Sequence, residues 1–484
     1  MAPKRKIAFV GSECYPFVKT GGLGDVMYAL PRALVSEGCE VRVILPLYAC
    51  IHQKYKENME YKGSFMMDQT ADGRTFFVGI MELEMDGVIY DFVENREFFD
   101  WGNPYTGLWE DIPKYCFFSK ASLAILNFLE WTPDVIHCHD WQASLVPLYL
   151  RTKFWATSVG SAKTVLTIHN LRFQGICTIE HLKYWSGLRD DLFDYPVLKH
   201  NEAEANMFKG GLAFANRITT VSETYAQEIQ TPAFGEGLDA HLRYHSPKLS
   251  GIVNGIDVEQ WDPAKDTLLA ARYDADSAVE QKKANKRALQ ERLGLDQDER
   301  KMLLALVSRL TDQKGLDLVD AIFPQIMDGN TQVVVLGTGD PRYENAFRWF
   351  ENQYKGSVCA YISYDEPLAH LIYSGADAFL VPSLFEPCGL TQLIAMRYGT
   401  APIVRETGGL KDTVQPFRGG EGNGFTFDRY DAGLLLDAVN QAKTVYFTDR
   451  NAWDEMVRRN MRKDVSWEQS AKKYLSVYEG VING

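Results

Sequence analysis

Apolar runs alternate with amphipathic stretches along almost the whole chain. Residues 7–10 form a short unbroken apolar run, as a strand buried on both faces does. Residues 25–36 place apolar side chains at helical spacing and stop near Gly38, and 41–45 then returns to strand. This rhythm is that of a parallel sheet wound by crossover helices. The segment from 60 to 100 departs from it and reads as short alternating strands with turns at Asp72-Gly73 and Asp86-Gly87, a meander inserted at the sheet edge. The alternation resumes with a helix over 114–130 and strands over 135–137, 165–168, 218–221 and 251–253. A polar, helix-prone stretch over 264–300, with Asp274, Glu280, Lys282, Lys283, Lys286 and Arg287, reads as the boundary region. A second series follows, with strands over 302–307, 332–336, 358–362, 378–381 and 401–404. From Ser466, the placing of Trp467, Ala471, Tyr474, Leu475, Val477 and Tyr478 predicts an amphipathic helix.

The expected fold class is α/β, with two doubly wound, Rossmann-like domains over 1–257 and 258–465 and a terminal helix over 466–484. Ligands of such sheets bind beyond the carboxyl ends of the strands, so two facing domains make the cleft between them the expected site. A length of 484 residues and a hydrophobic share of 46% agree with two or three globular domains. The net charge of −13, without a long basic run, argues against nucleic acid or an anionic membrane as partner. It leaves room for a phosphate held by a few local cations. No stretch approaches the roughly 20 apolar residues of a membrane span. The eight cysteines are scattered and form no Cys-x-x-Cys pair, which reads as reduced thiols in a cytosol.

The loop Lys19-Thr20-Gly21-Gly22-Leu23-Gly24-Asp25 follows the first strand. Its glycines let a backbone approach a ligand closely, the next helix opens with N–H groups that favour phosphate, and Lys19 adds a point charge. Spacing alone fits a tight strand-to-helix turn equally well. Ser308-Arg309-Leu310-Thr311-Asp312-Gln313-Lys314-Gly315 follows the first strand of the second series. Arg309 and Lys314 can both reach one diphosphate, each charge-assisted hydrogen bond contributing about 1.5–3 kcal/mol. In isolation they read as solvated surface cations.

Leu384-Phe385-Glu386-Pro387-Cys388-Gly389-Leu390-Thr391 lies between a strand ending at Val381 and a helix expected to start near Gly389. Pro387 and Gly389 aim Glu386 out of the loop, and the N–H groups of Gly389, Leu390 and Thr391 suit phosphate. Alone, Glu386 reads as a helix-start charge and Cys388 as a packed thiol. His169-Asn170 ends a strand, where an imidazole can serve a sugar hydroxyl or a developing charge. In His137-Cys138-His139-Asp140-Trp141 the two imidazoles share one strand face without further ligands in view, so no metal is expected. Asp140 and Trp141, at the strand end, are better placed for a sugar. Asn254-Gly255-Ile256-Asp257, Gly337-Thr338-Gly339-Asp340 and Tyr364 each have an ordinary turn or packing explanation.

Taken together and in this order, the motifs resemble one family, the bacterial glycogen synthases and plant starch synthases that use ADP-glucose. The resemblance runs over nearly the whole chain, from 19–25 through His-Asp-Trp at 139–141, His-Asn at 169–170, Asn-Gly-Ile-Asp at 254–257, 308–315 and 385–392 to Thr-Gly-Gly-Leu at 407–410. It implies a two-domain GT-B fold with the last helix crossing back onto the first domain. It also implies transfer of glucose to the non-reducing end of an α-1,4-glucan with retention of configuration. Donor binding is then assigned to Lys19, Gly21, Gly22, Asn254, Arg309, Lys314, Tyr364, Cys388, Gly389, Leu390 and Thr391. Of these, Lys19, Arg309 and Lys314 meet the diphosphate and Tyr364 lies near the adenine. Glu386 faces the transferred glucose, with His169, Lys314 and Arg309 also catalytic. Asp25, Asp140, Trp141 and Asn170 fall on the acceptor or sugar side. The partners implied are a nucleotide-sugar donor and a glucan acceptor, with no cofactor and no metal. Gly24 stands where some bacterial relatives have Ala. The lack of a transit peptide points to a bacterial cytoplasm.

A nucleoside diphosphate is a good leaving group, so the barrier lies in charge building on its β-phosphate while the sugar becomes oxocarbenium-like. Preorganised cations and N–H groups lower that barrier. No carboxylate pair of the retaining-glycosidase kind is evident, so a front-face route is expected rather than a covalent intermediate. Lys19 in one domain and Arg309 and Lys314 in the other predict closure around a shared diphosphate. Competing readings are a transferase using UDP-glucose or another acceptor such as sucrose phosphate, an inactive glucan-binding protein, and a glucan phosphorylase, for which no pyridoxal motif is seen.

Overall fold

Two sheets carry the chain, and each is wound in both directions from its first strand. The computed structural model describes residues 4–101 and 103–484. The chain divides into one unit of Met1–Asn254 with Trp467–Gly484 and a second of Gly255–Ser466. The second unit therefore begins three residues before the expected 258, inside the Asn254-Gly255 turn.

In the first unit β1 (Lys6–Val10), β2 (Glu40–Pro46), β3 (Glu60–Asp68), β4 (Thr75–Met85), β5 (Val88–Glu94), β6 (Val135–His139), β7 (Lys163–Ile168), β10 (Arg217–Thr220) and β11 (Leu249–Gly251) form one sheet. The short strands β8 (Ile176–Thr178) and β9 (Glu204–Asn206) pair separately. The order is β11-β10-β7-β6-β1-β2-β5-β4-β3. β1 is central and parallel to both neighbours, with Ile7 opposite Val41 on one side and Val135 on the other. It is buried on both faces, which is why residues 7–10 form an unbroken apolar run. β3, β4 and β5 form the expected antiparallel meander at the edge. The winding direction reverses between β1 and β6.

The second unit repeats the scheme with β12 (Met302–Val307), β13 (Thr331–Leu336), β14 (Val358–Tyr361), β15 (Ala378–Val381), β16 (Ala401–Arg405) and β17 (Phe425–Phe427). The order is β14-β13-β12-β15-β16-β17, all parallel, so the reversal falls between β12 and β15, where Leu304 faces Ala378. β17 has only three residues and escaped the pattern.

The polar stretch read as a boundary lies inside the second unit. Its helix, Ala278–Arg292, packs against the helix Glu366–Gly375. Lys286 Nζ sits 2.7 Å from Asp377 Oδ2, which also accepts the Leu303 N–H at 2.8 Å. Lys282 Nζ donates to Ser374 O (2.8 Å), Thr400 Oγ1 (2.9 Å) and Tyr398 O (3.0 Å), and burial pushes its amine down to about 7. These ammonium groups are hydrogen-bonded on the inward face, so a polar pattern marks a packed helix here.

The C-terminal helix, Trp467–Asn483, docks in the first unit. Trp467, Ala471, Tyr474, Tyr478 and Val481 join its core, against the helix Gly22–Ser36. Tyr478 OH lies 2.8 Å from His137 Nδ1 on β6. Replacing Tyr478 with Ala is expected to destabilise the protein by about 3–5 kcal/mol, the usual loss for a large buried ring. Tyr478→Phe keeps the packing but strips His137 of a partner, for about 1–3 kcal/mol. Urea unfolding of the three proteins reads the order directly; equal midpoints would show that this helix is not docked as described.

Candidate active site

In the second unit the two loops that leave the sheet at its reversal follow β12 and β15. The first contains Arg309 and Lys314, and Lys314 closes the single turn Asp312–Lys314. Gly315 is left-handed (φ 69°), and a Cβ there would collide with Pro382 O, so this loop reaches the other only with glycine. The Leu384 N–H donates to Gln313 O at 2.8 Å, knitting the loops together. Lys314 Nζ then meets Glu386 Oε2 at 2.7 Å, and Ser383 Oγ donates to the same oxygen at 2.8 Å. Glu386 is only 7% exposed.

The 407–410 motif finds its purpose here. Gly408 (φ 45°) lies so close to Glu386 O that a Cβ would collide, and the Gly409 N–H donates to that carbonyl at 3.1 Å. Arg405 holds the loop from below, donating to the carbonyls of Ser383 (2.8 Å) and Leu384. Sequence reasoning missed Ser383 and Arg405, and quoted Gly408 and Gly409 without a role. The glycine pair was the available signal; Ser383 offered none. The helix begins at Thr391, not near Gly389, so the Gly389 and Leu390 N–H groups precede it. Cys388 is buried, as a packed thiol is. Arg309 is exposed and pairs with no carboxylate among the described residues. Tyr364 stands 83% exposed beyond β14, apart from the reversal.

In the first unit the corresponding loops follow β1 and β6. The glycine loop is folded round the buried carboxylate of Glu13. Glu13 accepts the Thr20 N–H and hydroxyl (2.8 Å for the latter), the Gly21 N–H (3.2 Å) and the Tyr105 hydroxyl. Neither Glu13 nor Tyr105 was picked as a site residue, because the motif itself does not contain its organiser. The helix starts at Gly22 rather than 25, taking Gly22 and Gly24 into its first turn. Lys19 Nζ lies 2.7 Å from Asp25 Oδ1, the lysine exposed and the aspartate half-buried. Such a pair contributes about 0–1 kcal/mol, so Lys19 is held loosely and can turn to an anion.

His137 and His139 share one face of β6, ring centroids 4.2 Å apart. His137 bonds Tyr478 and, at 2.6 Å, Thr167 Oγ1; His139 Nδ1 lies 2.9 Å from His169 Nε2. Burial pushes His137 and His139 well below the ordinary imidazole range and His169 to about 3, so all three are neutral. Asp140 turns the chain at φ 57°, ψ −173°, a region that side chains rarely adopt. Its carboxylate accepts the His169 N–H at 2.7 Å, and desolvation raises it to about 7. Trp141, expected to face a sugar, is 5% exposed and packs edge-on to Tyr115 at 5.3 Å. It is a core residue that props the loop. Asn170 is half-buried and Oδ1 accepts the Arg172 N–H at 3.1 Å. Asn254 is buried, its Oδ1 without a protein partner among the described residues. Among the described residues no group of three or more His, Cys, Asp or Glu is placed to hold a metal ion, and no helix is long and apolar enough to cross a membrane.

Comparison with known proteins agrees with this layout. Residues 6–244 match the starch synthase catalytic domain, and residues 286–459 match the glycosyl transferases group 1 family. Glycogen synthase from Lachnospira eligens is 47% identical over 99% of this chain and 100% of its own length. That from Lachnoclostridium phytofermentans is 45% identical over the same shares. Among solved structures, the catalytic domain of starch synthase IV from Arabidopsis thaliana, bound to ADP and acarbose, superposes with a TM-score of 0.90 at 34% identity, covering 100% of both chains. A sucrose-phosphate synthase from Thermosynechococcus elongatus, 19% identical with a TM-score of 0.61, covering 99% of this chain and 100% of its own, shares the fold. The two doubly wound halves are thus of the GT-B class, as expected. With both halves matched and the Lys19, Arg309–Lys314 and Glu386 motifs in place, the chain belongs to the glycogen synthase and starch synthase family of glycosyltransferases.

Proposed function

We propose that this glycosyltransferase takes glucose from ADP-glucose and adds it to the non-reducing end of an α-1,4-glucan with retention of configuration. The observation that carries the reading is the Lys314–Glu386 contact at the reversal of the second sheet, where doubly wound sheets hold nucleotides. The relative from Arabidopsis that carries ADP supports the choice of nucleotide. Arg309 and Lys314 hold the diphosphate and meet the charge that develops on its β-phosphate as the bond to the sugar breaks. Glu386, anchored by Lys314 and Ser383, presents its carboxylate to the transferred glucose. The acceptor oxygen bonds to the anomeric carbon on the face the diphosphate leaves, and the acceptor proton passes to the leaving phosphate oxygen. Lys19 is the diphosphate contact of the first unit, with His169, Asp140 and Asn170 on the sugar side. ADP-glucose is a substrate, and neither a metal nor another cofactor enters this scheme.

Incubation with maltooligosaccharide should extend the chains with ADP-glucose and far less with UDP-glucose; growth with neither sinks the proposal. Glu386→Gln keeps acceptors for Lys314 and Ser383 but removes the charge. Its kcat should fall by about 10²–10³, in the range of a lost transition-state electrostatic partner, with ADP affinity little changed. Lys19→Ala and Lys314→Ala should mainly weaken donor use. Lys314→Ala should also lower stability by about 1–3 kcal/mol, because it leaves Glu386 buried beside a vacated ammonium position. Full turnover in Glu386→Gln would remove Glu386 from this role.

Asp140 adds a pH signature. Its folded-state value is raised from the carboxylate range to about 7, so its contribution to stability is fully present below that range and is lost as pH rises through 7. Denaturant midpoints measured from pH 4 to 8 should decline less steeply in Asp140→Asn than in the parent; parallel curves would place the titration elsewhere.

A further inference from the structure

His139 is fully buried, stacked on Phe9 at 5.4 Å and tilted against His137 with ring centroids 4.2 Å apart. Its Nδ1 lies 2.9 Å from Nε2 of His169, a distance that requires one proton between the two nitrogens. Its Nε2 is buried with no protein partner among the described residues. A neutral pair can share that proton in two ways. If His169 donates, His139 must carry its own proton on Nε2, a buried N–H with nothing to accept it. If His139 donates from Nδ1, its Nε2 is a bare acceptor, and orphaned buried acceptors are better tolerated than orphaned N–H groups. The second arrangement fills Nε2 of His169 from inside and puts the His169 proton on Nδ1, the nitrogen that bonds to no described protein atom. The His169 backbone N–H is meanwhile tied to Asp140 Oδ1 at 2.7 Å, so ring and main chain are both held.

We propose that His139 is a positioning residue, one that sets the tautomer of His169 so that His169 presents a neutral Nδ1–H donor to an oxygen of the sugar. This rests on the proposed placement of a sugar beside His169. It makes His169 a hydrogen-bond donor rather than a base, in keeping with a route where the diphosphate takes the acceptor proton. The Asp140 turn and the β6–β7 pairing place the two rings, and the tautomer is the message that passes between them.

The test uses the full chain labelled with ¹⁵N in histidine. Long-range ¹H–¹⁵N correlation separates the two neutral tautomers, and the His139 and His169 signals are assigned by their loss in His139→Asn and His169→Asn. Both residues are expected in the Nδ1–H form; an Nε2–H form at His169 overturns the proposal. Kinetics supply a second reading. His139→Leu removes the donor and should cut kcat about tenfold with donor KM little changed, as loss of one oriented hydrogen bond does. His139→Asn places an amide N–H where Nδ1 was, and should recover most of that rate along with the His169 tautomer. Equal losses in the Asn and Leu variants would reduce His139 to a packing residue and overturn the proposal. If His139→Leu does not fold, the parent spectra and the Asn variant decide. A parent that shows the expected tautomers but extends no glucan leaves the tautomer assignment standing and refutes the functional reading, and with it the sugar as the partner of His169.

Discussion

The structure depends on the reversal of winding in each sheet. A parallel strand must be reached by a right-handed crossover, so a chain that starts in mid-sheet and winds first one way and then the other sends its helices to opposite faces. At the reversal the loops that follow two neighbouring parallel strands leave the same edge of the sheet. In the first unit these follow β1 and β6, in the second β12 and β15. Every residue with a proposed chemical role, except Tyr364, Asn254 and the His169–Asn170 pair, leaves the sheets through one of these four loops. His169 and Asn170 follow β7, one strand along.

What the loops do there is decided by buried carboxylates. Glu13 gathers the glycine loop, Asp140 holds the His169 backbone, and Glu386 joins the two loops of the second unit through Lys314. Each is shielded from water and satisfied by N–H, hydroxyl or ammonium groups, so each converts a flexible loop into a fixed one. The same device operates away from the site, where Asp377 ties Lys286 to the start of β12. The close approaches that bring the acids into place fall at Gly315 and Gly408, where a side chain would collide.

A second network runs through the core of the first unit, from Tyr478 on the last helix through His137 to Thr167 and Thr219. His139 and His169 lie beside it. The terminal helix thus completes the hydrogen bonding of the strand that carries the site, which gives a physical reason for a chain end to return to the first unit.

Much of this was legible in the sequence. Alternation of apolar runs and amphipathic helices determined two doubly wound sheets and the edge meander, because strands buried on both faces leave an unbroken apolar signature. The Lys19, Arg309–Lys314 and Glu386 motifs marked the loops, since glycine, cation and acid at strand ends have few other uses together. Local pattern misled where partners are distant. The charged helix Ala278–Arg292 read as a boundary region because its inward lysines meet carbonyls and an aspartate about 90 residues away. Trp141 looked like a sugar platform and is core, because burial is decided by what packs on it. Glu13, Ser383 and Arg405 were invisible as site residues, for a hydrogen bond to a loop elsewhere leaves no periodicity. The sequence by itself determined the sheets and the chemical groups on their loops. Only the tertiary structure decided which acid holds which loop and which imidazole nitrogen carries a proton, because those depend on distances between strands far apart in the chain.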